Sequence, residues 1–133
     1  MGITNCGLWR IRLGTVMMKN RPQFIYKLLW PSQWSRMQKD GGFDGAPIDL
    51  ADGYIHLSGP DQVEETAAKH FSGDEDAVLL RFKTSALADH LKWEVSRGWQ
   101  DFPHYYGALD MKHVEQVYDL ERAGGSLIFP PSY

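Results

Sequence analysis

The chain has 133 residues, 43% of them hydrophobic and 23% charged, which is the size and make-up of one globular unit able to bury a core. A formal net charge of −3 excludes a general electrostatic hold on nucleic acid or an anionic membrane, since both need clustered lysine and arginine. No apolar run approaches the roughly 20 residues that span a bilayer, and the lone Cys6 cannot form an internal disulfide, which fits a reducing, cytoplasmic setting.

Residues 1–20 carry no sustained apolar stretch of signal-peptide type and read as a loose extension, with the pair Met17-Met18 as an alternative start. The domain is expected over residues 21–122. Phe24 to Leu29 is β-branched and aromatic enough for a first strand. Pro31 then opens a short helix to Gln38, with Trp34 and Met37 three apart, and Gly41-Gly42 ends it. Phe43 to Asp52, with Gly45 and Pro47, reads as a loop.

Tyr54 to Leu57 is expected to be a second strand, followed by a helix from about Gln62 to Phe71. Its apolar spacing puts Val63, Ala67, His70 and Phe71 on one buried face. Gly73 and Asp74 stop that helix. Ala77 to Phe82 reads as a third and central strand, and Leu91 to Val95 and Val114 to Leu120 as two more. Between those two, Phe102 to Gly107 looks too rich in Pro and Gly for a regular element. From residue 123 the Gly- and Pro-rich chain reads as a tail. The mixed order of strands and short helices gives an α+β class rather than a doubly wound sheet.

Two segments could carry chemistry. In Tyr54-Ile55-His56-Leu57-Ser58, strand alternation sends Ile55 and Leu57 to the core and puts Tyr54, His56 and Ser58 on the other face. That trio either lines a cleft or meets water; histidine in a cleft can hydrogen-bond a sugar hydroxyl or exchange a proton near neutral pH. In Phe102-Pro103-His104-Tyr105-Tyr106-Gly107, His104 and Tyr106 either serve a site or plug a structural loop. Trp93 and Glu94 lie on opposite faces of their strand, so a buried Trp93 turns Glu94 outward, towards a ligand or plain solvent. Lys27, beside Tyr26 on the first strand, either meets an anionic group or is an ordinary edge lysine. The histidines lack the close pairing of a zinc site, so no metal is expected, although His56, His104 and Asp52 could converge. There is no Gly-rich phosphate loop and no G-x-S-x-G elbow.

These residues resemble a bacterial family described as a domain of unknown function, number 952. Its pattern runs from a strand ending in Tyr-Lys, through D-G-[FY]-I-H-L-S and a [RK]-W-E strand, to F-P-H-x-Y-G. Here the pattern is Tyr26-Lys27, Asp52 to Ser58, Lys92-Trp93-Glu94 and Phe102 to Gly107. The resemblance implies an ADP-ribosylation-like fold, with small sheets around a cleft that binds NAD as substrate. It also implies distant similarity to RNA 2'-phosphotransferases through Ile55-His56-Leu57, Val78 to Phe82 and Lys92 to Ser96. The His or Arg usual on the first core strand is replaced by Tyr26-Lys27, and no basic cluster for RNA phosphate is present. The resulting expectation is an NAD or ADP-ribosyl-nucleotide enzyme of transferase or glycohydrolase type, with a non-catalytic small-molecule module as the rival. His56, His104 and Glu94 would be catalytic, and Tyr26, Lys27, Tyr54, Ser58 and Tyr106 would bind the nucleotide.

Overall fold

The structure is a computed structural model describing residues 21–133, apart from the side chain of Arg97. The expected extension of residues 1–20, with Cys6 and Met17-Met18, lies outside the described residues. The chain folds as α+β, with small antiparallel sheets and short helices. No helix among the described residues is long and apolar enough to cross a membrane.

Strand β1 (Phe24–Leu29) leads into α1 (Pro31–Asp40), whose Pro31 sits in the first turn and whose Gly41 caps the end at φ 83°. The stretch expected to be a loop is instead two elements: a short strand β2 (Gly42–Phe43) and a helix α2 (Pro47–Asp52). The helix signal was Pro47 at the first position with Asp49 two residues on, whose carboxylate accepts the Ala46 N–H at 2.7 Å. Gly45 and Pro47 punctuate α2 rather than abolish it. Gly53, at φ 88°, turns the chain into β3 (Ile55–His56), and α3 (Val63–His70) follows.

The remaining strands are β4 (Ala77–Lys83), β5 (Leu91–Val95), β6 (Asp101–Tyr105), β7 (Leu109–Asp110), β8 (Val114–Leu120), β9 (Arg122–Ala123) and β10 (Ser126–Leu127). Strand β4 is central, as expected: one antiparallel sheet has the order β1-β4-β8. The other three-stranded sheet has the order β3-β6-β5, so the Phe102 to Gly107 motif, expected to be irregular, supplies a central strand. Pro103 is tolerated there although it brings no N–H to the ladder, and its carbonyl still accepts Leu57 N–H at 3.0 Å. The sheets meet where Tyr26 and Ser58 exchange backbone hydrogen bonds of 2.8 and 2.9 Å.

Alternation divides the interior. Ile25 and Leu29 of β1 and Val78, Leu80 and Phe82 of β4 face one apolar cluster with Met37, Ile55, Leu57 and Tyr105. Tyr26 and Leu28, with Ala77 and Leu79, face a second cluster beneath Val63 and Ala67 of α3. Both faces of β1 and β4 are therefore covered, which explains their near-continuous apolar runs, broken by Lys27 and Arg81. The final segment, read as a tail, forms the β9–β10 hairpin and lays Phe129 and Tyr133 on this second cluster. Lys27 falls between Ile25 and Leu29 on β1, so the pleat carries it inward, and it is buried rather than an exposed edge lysine.

Candidate functional site

The β3-β6-β5 sheet sorts its side chains as a pleat must. Ile55, Leu57, Tyr105 and Trp93 pack on the first core cluster. The opposite face gathers His56, His104 and Glu94: in this antiparallel ladder His56 lies directly across from His104, and Glu94 across from Phe102. The two imidazole rings are 5.5 Å apart, centre to centre. The two signature motifs therefore meet through strand pairing.

Each histidine is held by a carboxylate on the same ring nitrogen. His104 Nδ1 lies 2.8 Å from Glu94 Oε1, and His56 Nδ1 lies 2.6 Å from Asp49 Oδ1. Hydrogen bonds from His104 and then Tyr106 hold the Glu94 carboxyl below its ordinary range. Burial alone would raise the Asp49 carboxyl, but the His56 hydrogen bond, the Lys27 ammonium and the His56 and Ala46 amides outweigh it and bring it down to about 2. Both carboxylates are then acceptors only, so both Nδ1 atoms donate, which leaves Nε2 of His104 for other chemistry. His56 Nε2 faces Asp52 Oδ2 at 3.0 Å.

Asp49 is the hub that the sequence reading missed. Its side chain is 0% exposed. Its two oxygens accept Lys27 Nζ at 3.1 and 3.4 Å, His56 N at 3.0 Å, the His56 ring and the Ala46 amide. Lys27 Nζ also donates to the His56 carbonyl at 2.9 Å. Burial pushes the Lys27 ammonium below its ordinary range, against the pull of Asp49. One buried ion pair thus ties β1, α2 and β3 together behind the histidines.

The Asp49 shift has an acid signature. A carboxyl depressed in the folded state contributes stability in full above its ordinary value near 3.8, and that stability is lost as pH falls through about 2. The shift amounts to about 2 kcal/mol. The Lys27 ammonium is lowered as well, and that shift has the same sign, with stability rising as pH rises across its own window. Urea unfolding measured from pH 5 to 2 is expected to show a loss of that size, and a flat profile would disprove it.

In front of these groups lies a cavity of about 690 Å³ lined in part by Lys27, Asp49, Asp52, His56, Ser58 and His104, a size suited to a small molecule. Its apolar wall includes Phe102 and the Trp30 and Phe71 rings, which sit 4.6 Å apart. Ser58 is buried and 2.9 Å from Thr66 Oγ1, which itself donates to the Gln62 carbonyl at 3.1 Å. Ser58 is therefore the donor in that pair, and its oxygen keeps lone pairs for the cavity.

The expected site residues do not all reach the cavity in the same way. Tyr26 borders it, but its ring is buried in the second core, edge-on to Tyr133 at 5.5 Å. Tyr54 and Tyr106 lie outside the lining. Tyr54 stacks on His104 at 4.1 Å, and Tyr106 donates to Glu94 at 2.7 Å, which pushes its phenol up to about 12. Their rings brace the Glu94–His104 pair, and the aromatics that face the cavity are Trp30, Phe71 and Phe102. His70, expected on the buried face of α3, is exposed at the helix end and borders the cavity with Phe71.

Residues 29–117 match the model of a family described as "Protein of unknown function (DUF952)". The crystal structure of protein CC0527 from Caulobacter crescentus is 42% identical, with a TM-score of 0.75, covering 78% of this chain and 91% of that one. The solution NMR structure of CC0527 is likewise 42% identical, with a TM-score of 0.71, covering 80% of this chain and 91% of that one. No curated protein matches the chain.

Proposed function

We propose that this chain, which belongs to the DUF952 family, binds the ribosyl part of NAD or a related nucleotide and breaks the bond between the ribose and its base. The observation that carries this reading is the pair of carboxylate-held histidines set side by side on the wall of one largely apolar cavity. Such a pair offers one group to position a sugar and another to move a proton. The likeness of its motifs to ADP-ribosyltransferase-like folds, and the two small antiparallel sheets around the cavity, support the choice of ligand.

In this reading His56 Nε2, shared with Asp52, and Ser58 Oγ hold ribose hydroxyls. His104 Nε2 takes the proton of a water as its oxygen bonds to the anomeric carbon of the ribose. The carbon–nitrogen bond breaks, and the base leaves with the electron pair as neutral nicotinamide. The Glu94 carboxylate on Nδ1 stabilises the imidazolium that His104 becomes, and the proton is then released to solvent. Hydrolysis balances with water as the co-reactant.

A second reading is a binding module without turnover. The observation behind it is that Lys27, the lysine of the cavity wall, is spent on Asp49 and leaves no evident cation for a pyrophosphate.

A thermal-shift experiment tests binding. NAD at about a hundredfold over its dissociation constant should add roughly 2.7 kcal/mol, with the gain reduced in His56→Ala. Nicotinamide release then separates enzyme from module, and the absence of any shift with NAD, ADP-ribose or nicotinamide would defeat both forms of the nucleotide reading.

A further inference from the structure

We infer that the cavity selects a cationic N-glycoside, taking the positively charged ring and its sugar inside and leaving any phosphate outside. This rests on the ribosyl reading above and narrows it to one end of the molecule.

Among the described residues lining the cavity, Lys27 is the one lysine or arginine. An ammonium has three protons to donate. Lys27 places them against both Asp49 oxygens, at 3.1 and 3.4 Å, and the His56 carbonyl, at 2.9 Å. No N–H of that group remains for a phosphate. Each histidine has Nδ1 committed to a carboxylate, and Nε2 of His56 faces a further one, Asp52. A phosphate drawn into this space would meet two carboxylates before it met a free cation.

The same groups suit a cation. The Lys27 ammonium and the His56 ring, which donates from both nitrogens, offset the carboxylates of Asp49 and Asp52, so these groups present no net positive charge to repel a cation. Asp52 accepts from His56 Nε2 through one oxygen, and its side chain is 41% exposed, which leaves the other oxygen for an incoming positive group. Trp30, Phe71 and Phe102 supply aromatic surface, which attracts a flat cationic ring both by contact and through the ring quadrupole. Positive charge on the base also weakens the bond to the sugar and lets the base leave without being protonated. That matches a site whose proposed proton acceptor is His104 Nε2.

Calorimetric titration separates the alternatives with three probes: nicotinamide riboside, its uncharged dihydro form, and ADP-ribose. The first is expected to bind about tenfold tighter than the second, a difference of about 1.4 kcal/mol, and at least about tenfold tighter than the third. In Asp52→Asn the preference for the charged riboside over the dihydro form should shrink to about threefold or less, since the charge that it reads has gone. Asp52 is half-exposed at the end of α2, and a circular dichroism spectrum confirms that the variant folds. If ADP-ribose or the dihydro form binds as well as the charged riboside, the charge inference is overturned while the ribosyl reading stands. If none of the three binds, both fall.

Discussion

Replacing Asp49 with alanine is expected to cost about 3–5 kcal/mol of stability, the usual result of leaving a buried charge without its partner. Asp49 is fully enclosed and Lys27 nearly so, with 0% and 9% of their side chains exposed. The substitution strands the ammonium, frees the Ala46 and His56 amides, and unseats the His56 ring. Asp49→Asn keeps the shape and one acceptor oxygen but removes the charge, so it should fall between wild type and alanine. Adding Lys27→Met to Asp49→Ala should recover part of the loss, because the apolar side chain needs no partner among Ile25, Leu29 and Phe43. Denaturant unfolding of these proteins and of Lys27→Met alone measures the coupling. A cost under about 1 kcal/mol for Asp49→Ala would mean that the pair does not hold β1, α2 and β3 together.

The second large effect is on turnover. His104→Ala should lower kcat for nicotinamide release by about 10²–10⁴-fold with little change in KM, because the proton acceptor acts only as the bond breaks. Glu94→Gln should reproduce part of that loss, since a neutral amide steadies an imidazolium less well than a carboxylate. His56→Ala should act the other way round, raising KM up to about tenfold through a lost hydrogen bond to the sugar. Steady-state kinetics on the three variants decides the roles. Equal effects of His56→Ala and His104→Ala on both constants would remove the division of labour, and an unchanged kcat in His104→Ala would remove the proposed base.

Sequence alone carried the strands well where alternation or apolar runs were clean, as in β1, β4, β5 and β8. It also put His56 and Tyr54 opposite Ile55 and Leu57, as found. It failed where local punctuation outweighed tertiary context. Pro103 and Gly107 disguised a central strand, because Pro103 stands at a point of the ladder where its carbonyl alone is used. Gly45 and Pro47 likewise disguised α2, although Pro47 and Asp49 together were a readable helix start. Missing α2 meant missing Asp49, whose importance comes from reaching Lys27, 22 positions away in the chain. No spacing rule reveals that contact. The alternation of β1 does show that Lys27 points inward, and an inward lysine asks for a buried acid. Glu94 and His104 were expected as separate catalytic residues, and strand pairing makes them partners.

A shared ribosyl site requires both histidines to face one ligand, and imidazole nitrogen NMR reads that directly. In long-range proton–nitrogen spectra titrated with NAD, the Nε2 signals of His56 and His104 should move along one saturable curve. His90 and His113, which lie outside the cavity lining, should stay still. Shifts at one of the two rings alone, or at none, would contradict a shared ribosyl site.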